Sequence, residues 1–347
     1  MSAPYPTYSQ RVLFPVIMAM PLLACQSSPP LNATDTGGVV AAGGDVQAGG
    51  TVRSGGARTG GKTATGGTTM DAGTSPDVGN WPEARAICQR WTEDRADLAE
   101  GTWTGNAASC TPGELTGLGR PHALKSVNLY RFLAGMPAVT EDPAMDALAQ
   151  GCALLQTANN ALSHAPPTTW LCYTAEFGTA AGKSSISSGA LVRAIDGFMA
   201  EDASNADTMG HRRWILANSL GPVGFGMAKA SCFYQVGGTG KANLPFVAWP
   251  PSGPIPITAI TTTKVDTTGW TIQSDTLNVN AGTVTVLDNG QPAAVTQTSL
   301  GADYGSKYAI RFLPSGWKTQ AGHTYDVTVS GTTISYQLQV LDCSWVN

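Results

Sequence analysis

Met209-Gly210-His211-Arg212-Arg213-Trp214-Ile215-Leu216, preceded by Phe198-Met199-Ala200-Glu201-Asp202, is the stretch on which the reading of this chain turns. An imidazole and a carboxylate on separate elements can converge to hold a divalent metal such as zinc, or to move protons. A second imidazole, His164, follows a long helical pattern in Leu162-Ser163-His164. By pattern alone the signal is weak, because a single histidine is more often a structural group than a functional one.

Working outward, the region from Trp81 to about Gly226 has helical periodicity. Asp142-Pro143 starts a helix with an Asp cap and Pro at the first helical position. Met145, Leu148, Ala149, Cys152, Leu155 and Leu162 recur at three- and four-residue spacing as one apolar stripe, with His164 at the end of that helix. Pro121 to Leu133, and Leu191 to Met199, give two more helices. After Pro250-Pro251 the period changes. Val284-Thr285-Val286-Leu287 runs into Asp288-Asn289-Gly290, a strong hairpin turn. Tyr325 to Val329, Ser330-Gly331 and Ile334 to Val340 form a second hairpin. Several short strands in about 90 residues predict an immunoglobulin-like sandwich, with Trp270 and Trp317 in its core and His323 at its surface.

Five pieces then occur in order. These are Asn128-Leu129-Tyr130-Arg131, Ser163-His164, Phe198-x-x-Glu201, the Gly210-His211 stretch and Gly224-Phe225-Gly226. Together, over about residues 121–228, they resemble the CAP superfamily, the SCP domains of cysteine-rich secretory proteins, antigen 5 and pathogenesis-related 1 proteins. The resemblance implies an α+β chain: a CAP-type α/β/α sandwich domain followed by a C-terminal all-β immunoglobulin-like sandwich. It also implies a cleft where two histidines and two acids bind a divalent cation. Carried over residue by residue, these are His164, His211 and Glu201, with Asp202 adjacent as a substitute. The second acid of the family's Glu-Asn-Leu/Ile motif falls on Ser184, and Glu176 is the nearby carboxylate. A hydroxyl is a much poorer ligand than a carboxylate, so a zinc ion would be held less well.

The apolar run Val12 to Leu23 is too short to span a bilayer and fits a signal peptide. Leu22-Leu23-Ala24-Cys25 resembles a bacterial lipobox, with Cys25 lipidated. Gly-Gly pairs begin at 37, 43, 49, 55, 60 and 66. They lack the recurring large aliphatic residue of a β-helix, so the segment reads as a flexible tether reaching about 40 Å. The expected organisation is signal peptide 1–24, lipidated Cys and tether 25–80, CAP domain 81–249 and sandwich 250–347. Cys88, Cys110, Cys152, Cys172, Cys232 and Cys343 remain for disulfides in an oxidising compartment. Fifteen pairings are open. Chain order favours Cys88–Cys110, Cys152–Cys172 and Cys232–Cys343. No Cys-x-x-Cys pair suggests a thiolate metal site instead.

Hydrophobic residues make up 42% of the 347 and charged residues 13%. A core is affordable, and global disorder is excluded. Net charge is -4, without a Lys/Arg run, so nucleic-acid binding is not expected. The expected function is a surface-anchored, non-enzymatic binder of a lipid, glycan or protein, in the outer membrane or at the cell surface. A metal-dependent hydrolase in the same cleft and a structural spacer are the alternatives. The anchor has a direct test: Cys25→Ser is expected to release the protein from the membrane fraction or to block processing. Unchanged partitioning would exclude a lipid anchor at Cys25.

Overall fold

The computed structural model describes residues 83–202 and 205–346. The expected signal segment, Cys25 and the expected glycine-rich tether lie outside the described residues.

The first unit has three layers. Its middle is a small antiparallel sheet in the order β3 (Ser184–Ser187), β5 (Ser231–Tyr234), β4 (Gly224–Met227). Helices α3 (Pro143–Asn159) and α4 (Ala175–Gly182) cover one face. Helices α2 (Gly119–Leu133) and α5 (Leu191–Ala200) pack on the other. Strand alternation explains Gly-Phe-Gly in β4. Phe225 points one way and stacks on Phe233, with ring centroids 5.0 Å apart. Gly224 and Gly226 point the other way, onto the backbone of α3. A Cβ on Gly226 would sit 2.2 Å from the Ala149 carbonyl carbon, and one on Gly224 2.2 Å from that of Met145. Only glycine allows this approach.

Local chemistry fixes the helices. Asp142 caps α3, its carboxylate accepting from Ala144 N at 2.8 Å and Met145 N at 3.3 Å. Asn160 stops the helix in the left-handed region at φ 46°. His164 therefore lies in the loop beyond α3 rather than on the helix itself. Asp146, one turn into α3, accepts from Phe225 N at 2.7 Å. Burial, then the neighbouring Glu141, raises its pKa to about 7. Helix α5 has no cap of its own. Glu100 supplies one from a distant loop, accepting from Val192 N at 2.6 Å and Arg193 N at 3.0 Å. Asn128 exchanges two hydrogen bonds with the Val139 backbone, which pins the connection between α2 and α3.

The second unit consists of two facing sheets. One has the order β10 (Gln291–Ala293), β9 (Val284–Asp288), β13 (Thr324–Val329), β14 (Ser335–Leu341), β7 (Gly253–Pro256). The other runs β11 (Val295–Leu300), β12 (Tyr308–Pro314), β8 (Trp270–Ser274), β6 (Val247–Trp249). Neighbouring strands are antiparallel except β14 with β7. Asn289 and Gly290 carry positive φ of 48° and 79° between β9 and β10, as a two-residue hairpin turn requires. Trp270 is fully buried between the sheets, against Phe312 and Tyr325. Trp317 is only partly buried and stacks on Tyr325. The Tyr325 hydroxyl accepts from Gln320 N at 3.0 Å, five residues upstream. His323 is likewise partly buried, with Nδ1 2.6 Å from Asp288 Oδ1. Strand β6 pairs with β8, so this unit takes its first strand from residues ahead of Pro250-Pro251.

The two units share one hydrophobic cluster, running from Val127 and Leu129 through Trp249 to Trp270 and Val327. The disulfides differ from every pairing that chain order favours. They join Cys88 to Cys343, Cys110 to Cys172 and Cys152 to Cys232. The reason is packing. Helix α1 (Ala84–Asp94) carries Cys88 into a small cluster with Leu341 near the chain's end, and α3 lays Cys152 across β5, which bears Cys232.

The α3–β4 approach makes a sharp prediction. Gly226→Ala is expected to cost about 3 kcal/mol, because backbone rather than a movable side chain meets the new methyl. Urea unfolding measures this. A loss below about 1 kcal/mol would mean that the two elements separate easily.

Candidate functional site

The site is built around α6 (Gly210–Ile215), a helix of six residues. A helix this short has little stability of its own, so its position is imposed from outside. Arg212 and Arg213 provide the fixing. Both are fully buried. Arg212 donates to Met199 O at 2.7 Å, Ala200 O at 3.2 Å, Gly269 O at 2.6 Å and Thr268 Oγ1 at 3.2 Å. Arg213 donates to Thr208 O at 3.1 Å, Gly301 O at 2.8 Å, and Ser306 O and Oγ at 3.1 Å. The acceptors come from both units, and the Tyr304 ring lies against Gly210 and Arg213. Burial lowers each guanidinium to about 10, so both remain cations at neutral pH.

Glu201 ends α5 and is buried beside these cations. One carboxylate oxygen accepts from His211 Nδ1 at 2.9 Å, the other from Arg212 N at 3.0 Å. The ring of Phe198 lies against the His211 imidazole, centroids 4.9 Å apart. The aromatic-x-x-Glu spacing is thereby explained: one helical turn places a ring and a carboxylate around the same imidazole. Glu201 adopts φ 57° and ψ 160°, a region that side-chain-bearing residues rarely occupy.

His164 is held from a third element. Its Nδ1 lies 3.1 Å from Ala181 O, at the end of α4. Its pKa is lowered by burial, with the Ala181 bond opposing and the charge of nearby His211 adding to the fall. Ser184 is buried and donates to Ala180 O at 2.8 Å. Adjacent carbonyls of α4 thus anchor His164 and Ser184.

The other expected participants go elsewhere. Asp202 is exposed, and its Oδ1 accepts from Asn205 N at 3.2 Å. Glu176 is exposed in the first turn of α4. Among the described residues no three His, Cys, Asp or Glu side chains gather closely enough to hold a metal ion. Both oxygens of Glu201 accept hydrogen bonds, one from His211 and one from the Arg212 backbone. Sequence reasoning missed that Arg212 and Arg213 bridge the two units. Their signal was a pair of charges set in the apolar-flanked Met209–Leu216 stretch.

A three-layer α/β/α domain with two separately anchored histidines is the class that this fold and site define. The family model for the cysteine-rich secretory protein family, CAP, matches residues 124–238, and this stretch is a CAP domain. No curated protein and no solved structure matches the chain. Three disulfides accord with an oxidising compartment.

Glu201 gives a test that separates strain from bonding. Glu201→Ala keeps the unfavourable backbone and loses two charge-assisted bonds, costing about 3 kcal/mol. Glu201→Gly loses the same bonds but relieves the backbone, and should be about 1–2 kcal/mol less damaging. Denaturant unfolding of the two variants measures the difference. A glycine variant no more stable than the alanine variant would remove the strain argument.

Proposed function

We propose that this chain is a tethered, extracytoplasmic binding protein whose CAP domain engages its ligand through His164 and His211. One observation carries the reading: each imidazole has its Nδ1 committed to a fixed acceptor, and neither Nε2 has a protein partner among the described residues. With Nδ1 donating, a neutral ring offers the Nε2 lone pair. Two such acceptors suit a ligand that brings hydrogen-bond donors, such as glycan hydroxyls, a lipid headgroup or protein amides. Leu22-Leu23-Ala24-Cys25 supports a lipid anchor, and the Gly-Gly segment supports a tether.

A divalent cation would meet two imidazole nitrogens and at most the Ser184 hydroxyl. A structural zinc site needs four protein ligands and a catalytic one three, so these residues fit a resident zinc poorly. The hydrolase reading consequently has less support than binding. We further read the two-sheet unit as immunoglobulin-like. Its nine strands in two sheets, the parallel β14–β7 edge pair and the backbone bond to the Tyr325 hydroxyl support this. Its role would be to present the cleft and support α6.

Screening the purified protein against glycan and lipid arrays tests the reading, with His164→Ala/His211→Ala as control. Binding is expected in the wild type and not in the double variant; equal binding by both would exclude the cleft. Zinc calorimetry probes the same side chains. Weak binding is expected, tightening in Ser184→Glu and fading below about pH 6 as protons compete for imidazole. Burial lowers the His164 pKa, so that ring stays neutral to more acid pH than a free imidazole. Ser184→Glu that folds but leaves zinc affinity unchanged would show that Ser184 does not face the two rings.

A further inference from the structure

A crevice of about 240 Å³ opens between the α2–α3 connection and the loops around residues 220–222 and 240–242. It shares no residue with the site at His164, His211 and Glu201. Arg131 lies at its base, 1% exposed. The guanidinium donates Nε to Pro137 O at 2.9 Å, and Nη1 to Ile215 O at 2.8 Å and Ala217 O at 3.2 Å. Among the described residues Nη2 has no protein acceptor, and it is not one of the fully enclosed unpartnered atoms. Nη2 is therefore the part of this buried cation left open to the crevice. Lys241 stands exposed on the rim.

The lining contains no Asp or Glu, although the whole chain is acidic at -4. The remaining wall is mostly apolar, with Pro137, Val139, Leu220 and Pro222. The walls are also set in advance. Gly240 N donates to Ser219 O at 2.9 Å and Ala242 N to Asn218 O at 3.1 Å. A Cβ on Gly240 would lie 2.0 Å from Leu220 O.

We propose that this crevice binds a small carboxylate with an apolar body. The carboxylate would meet Arg131 Nη2 and Lys241 Nζ, and the body would lie against Val139, Leu220 and the two prolines. A buried guanidinium is costly without an anionic partner. Burial alone lowers that of Arg131 to about 10, with no carboxylate opposing the fall. A ligand carboxylate would supply the missing charge through strong, charge-assisted hydrogen bonds.

Benzoate is the probe, titrated into the purified protein by calorimetry or chemical-shift perturbation. Benzyl alcohol serves as the neutral counterpart and inorganic phosphate as the anion without an apolar body. Benzoate is expected to bind more tightly than either, and its affinity to fall with salt. Lys241→Glu should weaken it about tenfold while leaving the melting curve unchanged, since Lys241 is exposed. Three results would each overturn the proposal: benzyl alcohol binding as well as benzoate, phosphate binding as well as benzoate, or Lys241→Glu without effect. Because no lining residue is shared, failure here leaves the histidine cleft untouched, and failure there leaves this crevice untouched.

Discussion

Two guanidinium groups buried side by side on a six-residue helix hold this molecule's arrangement in place. Arg212 and Arg213 spend their protons on oxygens that come from α5, from the loop before α6 and from the second unit at residues 268–269, 301 and 306. Buried cations are costly unless every donor is matched and charge is balanced. Here carbonyls match most donors, Arg213 Nε alone being buried without a partner among the described residues, and Glu201 is a buried anion acting on both. The position of the CAP domain against the two sheets is thus part of how α6 exists at all.

This constraint explains the site. His211 is placed by a helix that the second unit grips, a ring beneath it and a carboxylate behind it. Glu201 serves three neighbours at once: it orients an imidazole, caps the Arg212 backbone and offsets buried positive charge. The same economy of buried charge applies to Arg131, whose acceptors cover two of its three nitrogens, as they do in Arg213, but whose third nitrogen is not fully enclosed. The difference between an unpartnered nitrogen that is fully enclosed, as in Arg213, and one that is not, as in Arg131, separates a structural strut from a candidate site.

Much of the secondary structure was legible because its signals are local. Asp142-Pro143 marks a helix start by capping chemistry, and Asn289-Gly290 marks a hairpin by the φ values that only such residues adopt easily. The order Asn-x-x-Arg, His, aromatic-x-x-Glu, Gly-His, Gly-Phe-Gly carried the CAP resemblance, and the family model covers the same ground. Asn160 in the left-handed region ended α3 earlier than its apolar stripe suggested. That stripe continues through Leu162 only because the following loop also packs inward.

What the sequence by itself determined was three of the helices, two of the hairpins, the change from helical to strand period, the CAP motifs and the histidines worth following. Each depends on residues within a few positions of one another, where capping, turn and periodicity rules act. What only the tertiary structure decided was who meets whom. Cys88 finds Cys343 across a separation of 255 residues because α1 lies beside the last strand. Arg212 and Arg213 find carbonyls some 60 to 90 residues away, and Glu201 turns inward to balance them. Those partnerships depend on which surfaces pack and where charge can be buried, and no local spacing encodes either.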